Sequence, residues 1–91
     1  MDAVVVTVNI EPGHEAEGIE YLNANVLPRM KQIPGLVSGY WLEPLGGQGI
    51  TVLLFESRQT AQAAAEALPN APRATFATLD SVEVREVVAH I

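Results

Sequence analysis

The chain has no cysteine, few cations and no long apolar run, and each of these three shortages excludes a class of protein. Without cysteine there is no disulfide framework, no thiolate nucleophile and no cysteine-based metal site. Five Lys and Arg stand against eleven Asp and Glu, a net charge of −6. Because binding to phosphates needs clustered cations, neither nucleic acid nor an anionic membrane is expected as a partner.

The sequence also lacks the marks of export and of membrane insertion. No apolar run approaches the roughly 18 residues that span a bilayer, and no basic-then-apolar leader opens the chain. The length of 91 residues suits one domain, residues 1–91. We therefore expect a cytoplasmic protein of one domain with no membrane partner.

Histidine is scarce, and neither copy lies in a metal-binding pattern. His14 stands beside Glu15 and Glu17 in the first turn of a predicted helix, where solvated charge is the simpler interpretation. His90 is alone near the end of the chain. We therefore predict no metal site, and no Ser-His-Asp arrangement can be assembled.

What the chain does have is a regular order of apolar segments. Residue spacing predicts strands over 3–10, 36–42, 50–55 and 82–91, and helices over 15–33 and 58–68. This β-α-β-β-α-β order is the ferredoxin-like one. It predicts an α+β domain with one four-stranded antiparallel sheet and both helices on one face.

Three local signals refine this prediction. Pro28 lies inside the first helix, where it removes one backbone hydrogen bond, so a kink is expected there. Ser57 is placed to cap the second helix, which is built largely from alanine and can lie close to the sheet or leave space beneath it. Residues 74–79 are expected to form a short extra turn that returns Phe76 and Leu79 to the core.

The first strand is apolar on both of its faces. Val4, Val6 and Val8 share one face, while Ala3 and Val5 share the other. An antiparallel sheet of this kind is usually covered on both sides. Since 48 % of so short a chain is hydrophobic, we expect a second subunit to cover the face that the helices leave free.

Four segments together resemble the antibiotic-biosynthesis monooxygenase-like (ABM) proteins of the dimeric α+β barrel superfamily. They are Glu11-Pro12-Gly13 after the first strand, Val26-Leu27-Pro28-Arg29-Met30, the join Ile33-Pro34-Gly35-Leu36-Val37-Ser38-Gly39, and Leu54-Phe55-Glu56-Ser57. The resemblance covers almost the whole chain. It implies a homodimer whose two sheets close a barrel, with a ligand cavity in each subunit between sheet and helices.

The catalytic residues of two characterised groups in that family do not carry over. The phenol-oxidising type has an Asn and a Trp one turn apart near the second helix, where this chain has Ala64, Ala65 and Ala67. The haem-degrading type has an Asn early in the first strand, a Trp in the second helix and a His soon after. Asn9 comes too late for that position, and the single Trp is Trp41 in the second strand.

Five residues remain as candidate ligand contacts: Asn9, Tyr40, Trp41, Phe76 and Arg85. Tyr40 and Trp41 are adjacent on a strand and face opposite sides, so only one of them can line the cavity. Either can stack on a planar ligand or serve as plain packing, and Phe76 has the same two interpretations. Asn9 can orient a carbonyl or satisfy local backbone bonds. Arg85 can hold an anion or pair across strands with Glu56 or Glu83.

Two functions remain open at this point. The first is a cofactor-independent monooxygenase that acts on a planar aromatic or quinone-like metabolite, and it predicts an open, mainly apolar cavity with a few convergent polar groups. The second is a binding or accessory dimer without turnover, with a cavity filled by side chains or holding its ligand unchanged.

Overall fold

Four strands form one antiparallel sheet in the order β2-β3-β1-β4, in a computed structural model that describes residues 1–91. The strands are β1 (Asp2–Ile10), β2 (Leu36–Trp41), β3 (Gln48–Phe55) and β4 (Ala77–Glu86). The helices are α1 (Glu15–Tyr21), α2 (Leu27–Met30) and α3 (Arg58–Ala67). The predicted ferredoxin-like fold, with its helices on one face of the sheet, is confirmed. No helix is long and apolar enough to cross a membrane.

The first predicted helix is interrupted in the structure. A π-helical turn, Leu22–Val26, joins α1 to α2, and the Leu27 N–H donates to the Leu22 carbonyl five residues earlier. Pro28 stands in the first turn of α2, directly after this π turn. The irregularity lies where the proline predicts it, but it is a π turn and not a simple kink. A wider turn fits this stretch because Pro28 has no backbone N–H to donate.

The last strand is displaced from its predicted position. It was predicted over 82–91 and runs over Ala77–Glu86, because residues 77–79, predicted as part of a turn, already pair with β1. Glu86 lies opposite Asp2 at the start of β1, so β1 offers no partner to later residues except the Met1 carbonyl, which accepts from the Val87 N–H. The remaining tail is exposed.

The core lies between the sheet and α3. Val4 and Leu53 are fully buried, as is Phe55, and they pack with Ala61 and Ala64 of α3. The predicted cap is confirmed, since the Ser57 hydroxyl accepts from the Thr60 N–H at 3.2 Å. At the same end of the sheet the buried carboxylate of Asp2 accepts from Arg58 Nε at 2.7 Å. These contacts fix the start of α3 on the sheet.

The opposite face of the sheet carries no helix. Ala3, Val5, Val52 and Leu54 lie there in two neighbouring rows, as their cross-strand register requires. Tyr40 extends one of these rows and is 58 % exposed. We call this surface the open face. It is apolar at its centre, as the first strand predicts.

Candidate ligand cavity

A cavity of about 690 Å³ lies between the sheet and the helices. Its floor is the helix-facing side of β1 and β3, and its walls are α1, the π turn, α3 and the segment 71–76. Of its 32 lining residues 22 are hydrophobic. Both volume and lining fall within the range of small-molecule sites, about 300–1,000 Å³ and mostly apolar.

The cavity exists because neither α3 nor α1 fills the space above the sheet, each for a different reason. On α3 the inward positions are alanines, whose short side chains reach the floor only around Ala61 and Ala64. Ala63 and Ala67 line the cavity without filling it. On the other side, Ile19 of α1 lines the cavity and is still 49 % exposed, so α1 does not seal it. From the sequence, the alanine helix could lie close to the sheet or leave space beneath it. In the structure it does both, since Ala61 and Ala64 pack on the core while Ala63 and Ala67 border the cavity.

The cavity has few polar side chains. The Thr51 hydroxyl is on the floor, next to Trp41 and Val6 in the cross-strand register. Tyr21 stands in the wall at the end of α1. Thr60, Arg29 and Arg73 line the cavity as well, together with one acidic residue, Glu43.

Trp41 is the member of the aromatic pair that lines the cavity. It is half-buried, packs against the core and lies on the helix-facing side with Thr51. Tyr40 lies on the open face. The Trp41 ring passes over Gly39, two residues earlier on the same side. A Cβ at Gly39 would lie 3.0 Å from ring atoms Cη2 and Cζ3.

Replacement of Gly39 with alanine is expected to displace the Trp41 ring. The added methyl meets the ring and Leu53 Cδ2 at 3.0 Å, and such overpacking costs about 1 kcal/mol or more. Because the chain has one tryptophan, its fluorescence reports the ring directly. We expect a changed emission maximum and a lower midpoint of denaturation, neither of which should follow from Ser38→Ala on the neighbouring position. An unchanged emission would contradict the close approach.

Phe76 also lines the cavity, from the turn that precedes β4. Its ring stacks on His14 with centroids 4.9 Å apart and an angle of 14° between the planes. The Glu11 N–H donates to the Phe76 carbonyl at 2.9 Å, which anchors this turn to the end of β1. Phe76 is therefore held in the wall by backbone and ring contacts together.

His14 itself stands outside the cavity lining. Its Nδ1 lies 3.0 Å from a carboxylate oxygen of Glu17, in a geometry that does not align for a hydrogen bond, and Nε2 lies 3.9 Å from Glu11. No group of three His, Asp or Glu side chains has the arrangement of a metal site.

Asn9 and Arg85 lie away from the cavity. Asn9 is exposed near the end of β1, opposite Gln48 and Thr78 and on the side of the open face. Arg85 is on the open face too, and its guanidinium pairs with Glu83 at 2.8 Å. This is a pair within one strand and not the cross-strand pair considered from the sequence. The structure thus brings together Trp41 and Phe76, and leaves Asn9, Tyr40 and Arg85 on the other side of the sheet.

Six polar residues of the cavity were not predicted from the sequence: Tyr21, Arg29, Glu43, Thr51, Thr60 and Arg73. Thr51 had a signal, because it interrupts the apolar alternation of β3. Arg29 had one as well, three residues after Val26 on the apolar stripe of the first helix. Tyr21 had none, because it lies off the apolar stripe that Ile19, Leu22 and Val26 form at helical spacing. Arg73 depends on the path of a loop.

The fold is shared with solved structures along its whole length. The heme-degrader MhuD from Mycobacterium tuberculosis, solved with two hemes bound in its active site, matches with a TM-score of 0.74 at 24% identity over 100% of this chain and 99% of that one. A monooxygenase of Streptomyces coelicolor, in complex with the ligand nanaomycin D, matches with a TM-score of 0.63 at 17% identity over 99% and 89%. A dimeric ferredoxin-like protein from an uncultured marine organism matches with a TM-score of 0.68 at 12% identity over 100% and 98%.

No protein-family model and no curated protein sequence matches the chain. At these identities the structural matches establish the fold. The resemblance to ABM-like proteins is confirmed at the level of the fold, since the matched structures share it over almost the whole chain. Chemistry has to be argued from the residues of this chain.

Proposed function

We propose that this protein binds a planar aromatic or quinone-like metabolite in the cavity and oxidises it as a cofactor-independent monooxygenase. The observation that carries the proposal is the unfilled apolar space of about 690 Å³ with Trp41 and Phe76 in its lining. Aromatic rings supply flat surfaces against which a planar ligand stacks. Two of the structural neighbours were solved with ligands, heme in one and nanaomycin D in the other.

The chemistry asked of the protein is modest. A hydroxyanthrone, for example, ionises to an electron-rich anion that gives an electron to O₂. One oxygen atom becomes a new ring carbonyl, and the other leaves as water with the two hydrogens of the methylene carbon. The cavity would orient the ring system between apolar walls, while the Thr51 hydroxyl and Tyr21 supply hydrogen bonds to its oxygens.

The test measures binding and turnover separately. Quenching of Trp41 fluorescence by aloe-emodin, a hydroxyanthraquinone that is already oxidised, measures occupancy of the cavity. Oxygen uptake with dithranol, a hydroxyanthrone, measures turnover above the rate in buffer. We expect saturable quenching and a protein-dependent oxygen uptake. Absence of quenching would contradict the cavity as a ligand site.

A binding protein without turnover is the second candidate, and the lining favours it in one respect. Glu43, an exposed residue, is the only Asp, Glu or His that lines the cavity, so the cavity offers a single candidate general base. Saturable quenching by aloe-emodin with no oxygen uptake from dithranol would establish this second function and rule out the first for that substrate class.

We further propose that the protein acts as a homodimer joined through the open face. The apolar rows of Ala3, Val5, Val52 and Leu54 are central in that face, and Tyr40 extends them toward the sheet edge at 58 % exposure. Burying such a surface stabilises by about 25 cal/mol per Å² removed from water. One of the structural neighbours is itself a dimeric ferredoxin-like protein.

Replacement of Tyr40 with aspartate is expected to convert the dimer to a monomer. The new carboxylate would be buried without a partner in the interface, which typically costs several kcal/mol, whereas in the monomer it stays in water. Native mass spectrometry measures the change, with Gln62→Asp on the exposed side of α3 as a control of equal charge. A wild-type monomer at micromolar concentration would contradict the proposal.

A further inference from the structure

The chain has five Lys and Arg side chains, and three of them lie away from the cavity. Arg58 pairs with Asp2 at 2.7 Å, and Arg85 pairs with Glu83 at 2.8 Å. Lys31 follows α2 and does not line the cavity. The remaining two, Arg29 and Arg73, both line it.

Neither of these two arginines has a carboxylate partner, in a chain with eleven acidic residues. Arg29 donates from Nε to the Asn25 carbonyl at 3.0 Å and from Nη2 to the Pro72 carbonyl at 3.4 Å. Arg73 donates from Nη1 to the carbonyls of Leu68 and Pro69 at 3.4 and 3.5 Å. A guanidinium has five N–H donors, so each keeps free donors after these bonds.

The backbone bonds also bring the two arginines to one place. Arg29 reaches from α2 to the carbonyl of Pro72, the residue directly before Arg73. This contact joins α2 to the segment 71–76 at the wall of the cavity. We call Arg29 and Arg73 together the arginine rim. The 3.0 Å bond from Arg29 Nε to the Asn25 carbonyl restrains that side chain, so less of its entropy remains to be lost when an anion binds.

We propose that the arginine rim binds an anionic substituent, a carboxylate or its equivalent, on the edge of a ligand whose planar body lies in the apolar cavity. The inference rests on the proposed ligand site. It specifies the substrate class, an aromatic acid, where the apolar lining alone would select any flat molecule. In a protein of net charge −6, an anionic ligand is attracted only where cations prevail locally. Among the residues that line the cavity, the two arginines outnumber the single acidic residue, Glu43.

The test uses two ligands that differ in one group. Rhein is a hydroxyanthraquinone carboxylate, and aloe-emodin carries a hydroxymethyl group in place of the carboxylate. Quenching of Trp41 fluorescence gives both dissociation constants. We expect wild-type protein to bind rhein about tenfold more tightly than aloe-emodin, the sum of two charge-assisted contacts at a solvated rim. Added salt should weaken rhein binding and leave aloe-emodin binding unchanged.

The double variant Arg29→Gln, Arg73→Gln isolates the rim. We expect it to bind the two ligands equally, with its affinity for aloe-emodin retained, which also shows that the cavity is intact. Lys31→Gln and Gln62→Glu together change the net charge by the same two units at positions that do not line the cavity, and this control should preserve the preference for rhein.

Other results overturn the inference in distinguishable ways. Equal binding of both ligands by wild-type protein would overturn the rim and leave the proposed ligand site standing. An equal loss of the preference for rhein in the Lys31→Gln, Gln62→Glu control would show that the whole charge of the protein attracts the anion, and again overturn the rim alone. Failure of both ligands to bind wild-type protein would overturn the proposed ligand site and the rim with it.

Discussion

Replacing Gly35 with alanine is expected to lower the free energy of unfolding by about 3 kcal/mol. Gly35 has φ +78°, a left-handed conformation that costs a residue with a Cβ about 1–2 kcal/mol. The new Cβ would also lie 2.7 Å from Thr60 Oγ1 and 2.8 Å from Thr60 Cβ, and relief of such overpacking costs about 1–3 kcal/mol. Backbone movement is opposed by the Glu56 N–H, which donates to the Gly35 carbonyl at 2.9 Å.

Gly13 provides the matched control for this substitution. It has φ +87° and no atom within 4 Å of the Cβ that alanine would add. Gly13→Ala should therefore show the conformational cost alone, about 1–2 kcal/mol. Urea denaturation of both variants gives the difference between them, which measures the collision with Thr60. Equal losses of stability would contradict the close contact between the α2–β2 join and α3.

Replacing Ala63 with tryptophan is expected to weaken aloe-emodin binding by a factor of ten or more. Ala63 lines the cavity from α3 and is itself exposed, so a large side chain can be accommodated by entering the cavity. An indole fills a substantial part of about 690 Å³ and takes the place of the ligand. The folded state should remain stable, because the space is already empty and no core residue has to move.

The control for this variant is Gln62→Trp, one residue earlier on α3. Gln62 is exposed and does not line the cavity, so the same side chain there should leave binding unchanged. Because each variant adds a second tryptophan, equilibrium dialysis measures ligand binding in place of fluorescence. Full affinity in Ala63→Trp would place the ligand elsewhere on the protein.

Much of the fold could be predicted because its signals are local. Alternating valines mark β1, Ser57 marks the start of α3, and the order of the segments leaves few possible topologies. The sequence-based predictions were wrong where strand pairing sets the end of an element or where the backbone is irregular. The last strand ends at Glu86 because β1 begins at Asp2, a fact about two distant segments. The π turn before Pro28 has no periodic signature that would separate it from an ordinary helix.

The candidate site was only partly predictable, for a related reason. Trp41 and Phe76 were both proposed as ligand contacts, and both line the cavity. Alternation along a strand predicts that Tyr40 and Trp41 face opposite sides of the sheet. It does not predict which of the two sides carries the helices. The ligand role of all five proposed residues stays a prediction. Asn9, Tyr40 and Arg85 could contact only a ligand that binds on the open face.

The sequence by itself determined the secondary-structure order, the doubly apolar sheet and the negative charge, because each is a property of residues near one another or of the whole composition. Tertiary structure decided that α3 leaves a cavity beside the alanines that pack on the sheet, and that α1 does not close this cavity. It also decided that Arg29 and Arg73, 44 positions apart in the numbering, stand at one wall. A cavity is the space that several elements fail to fill together, so no one segment of the sequence encodes it.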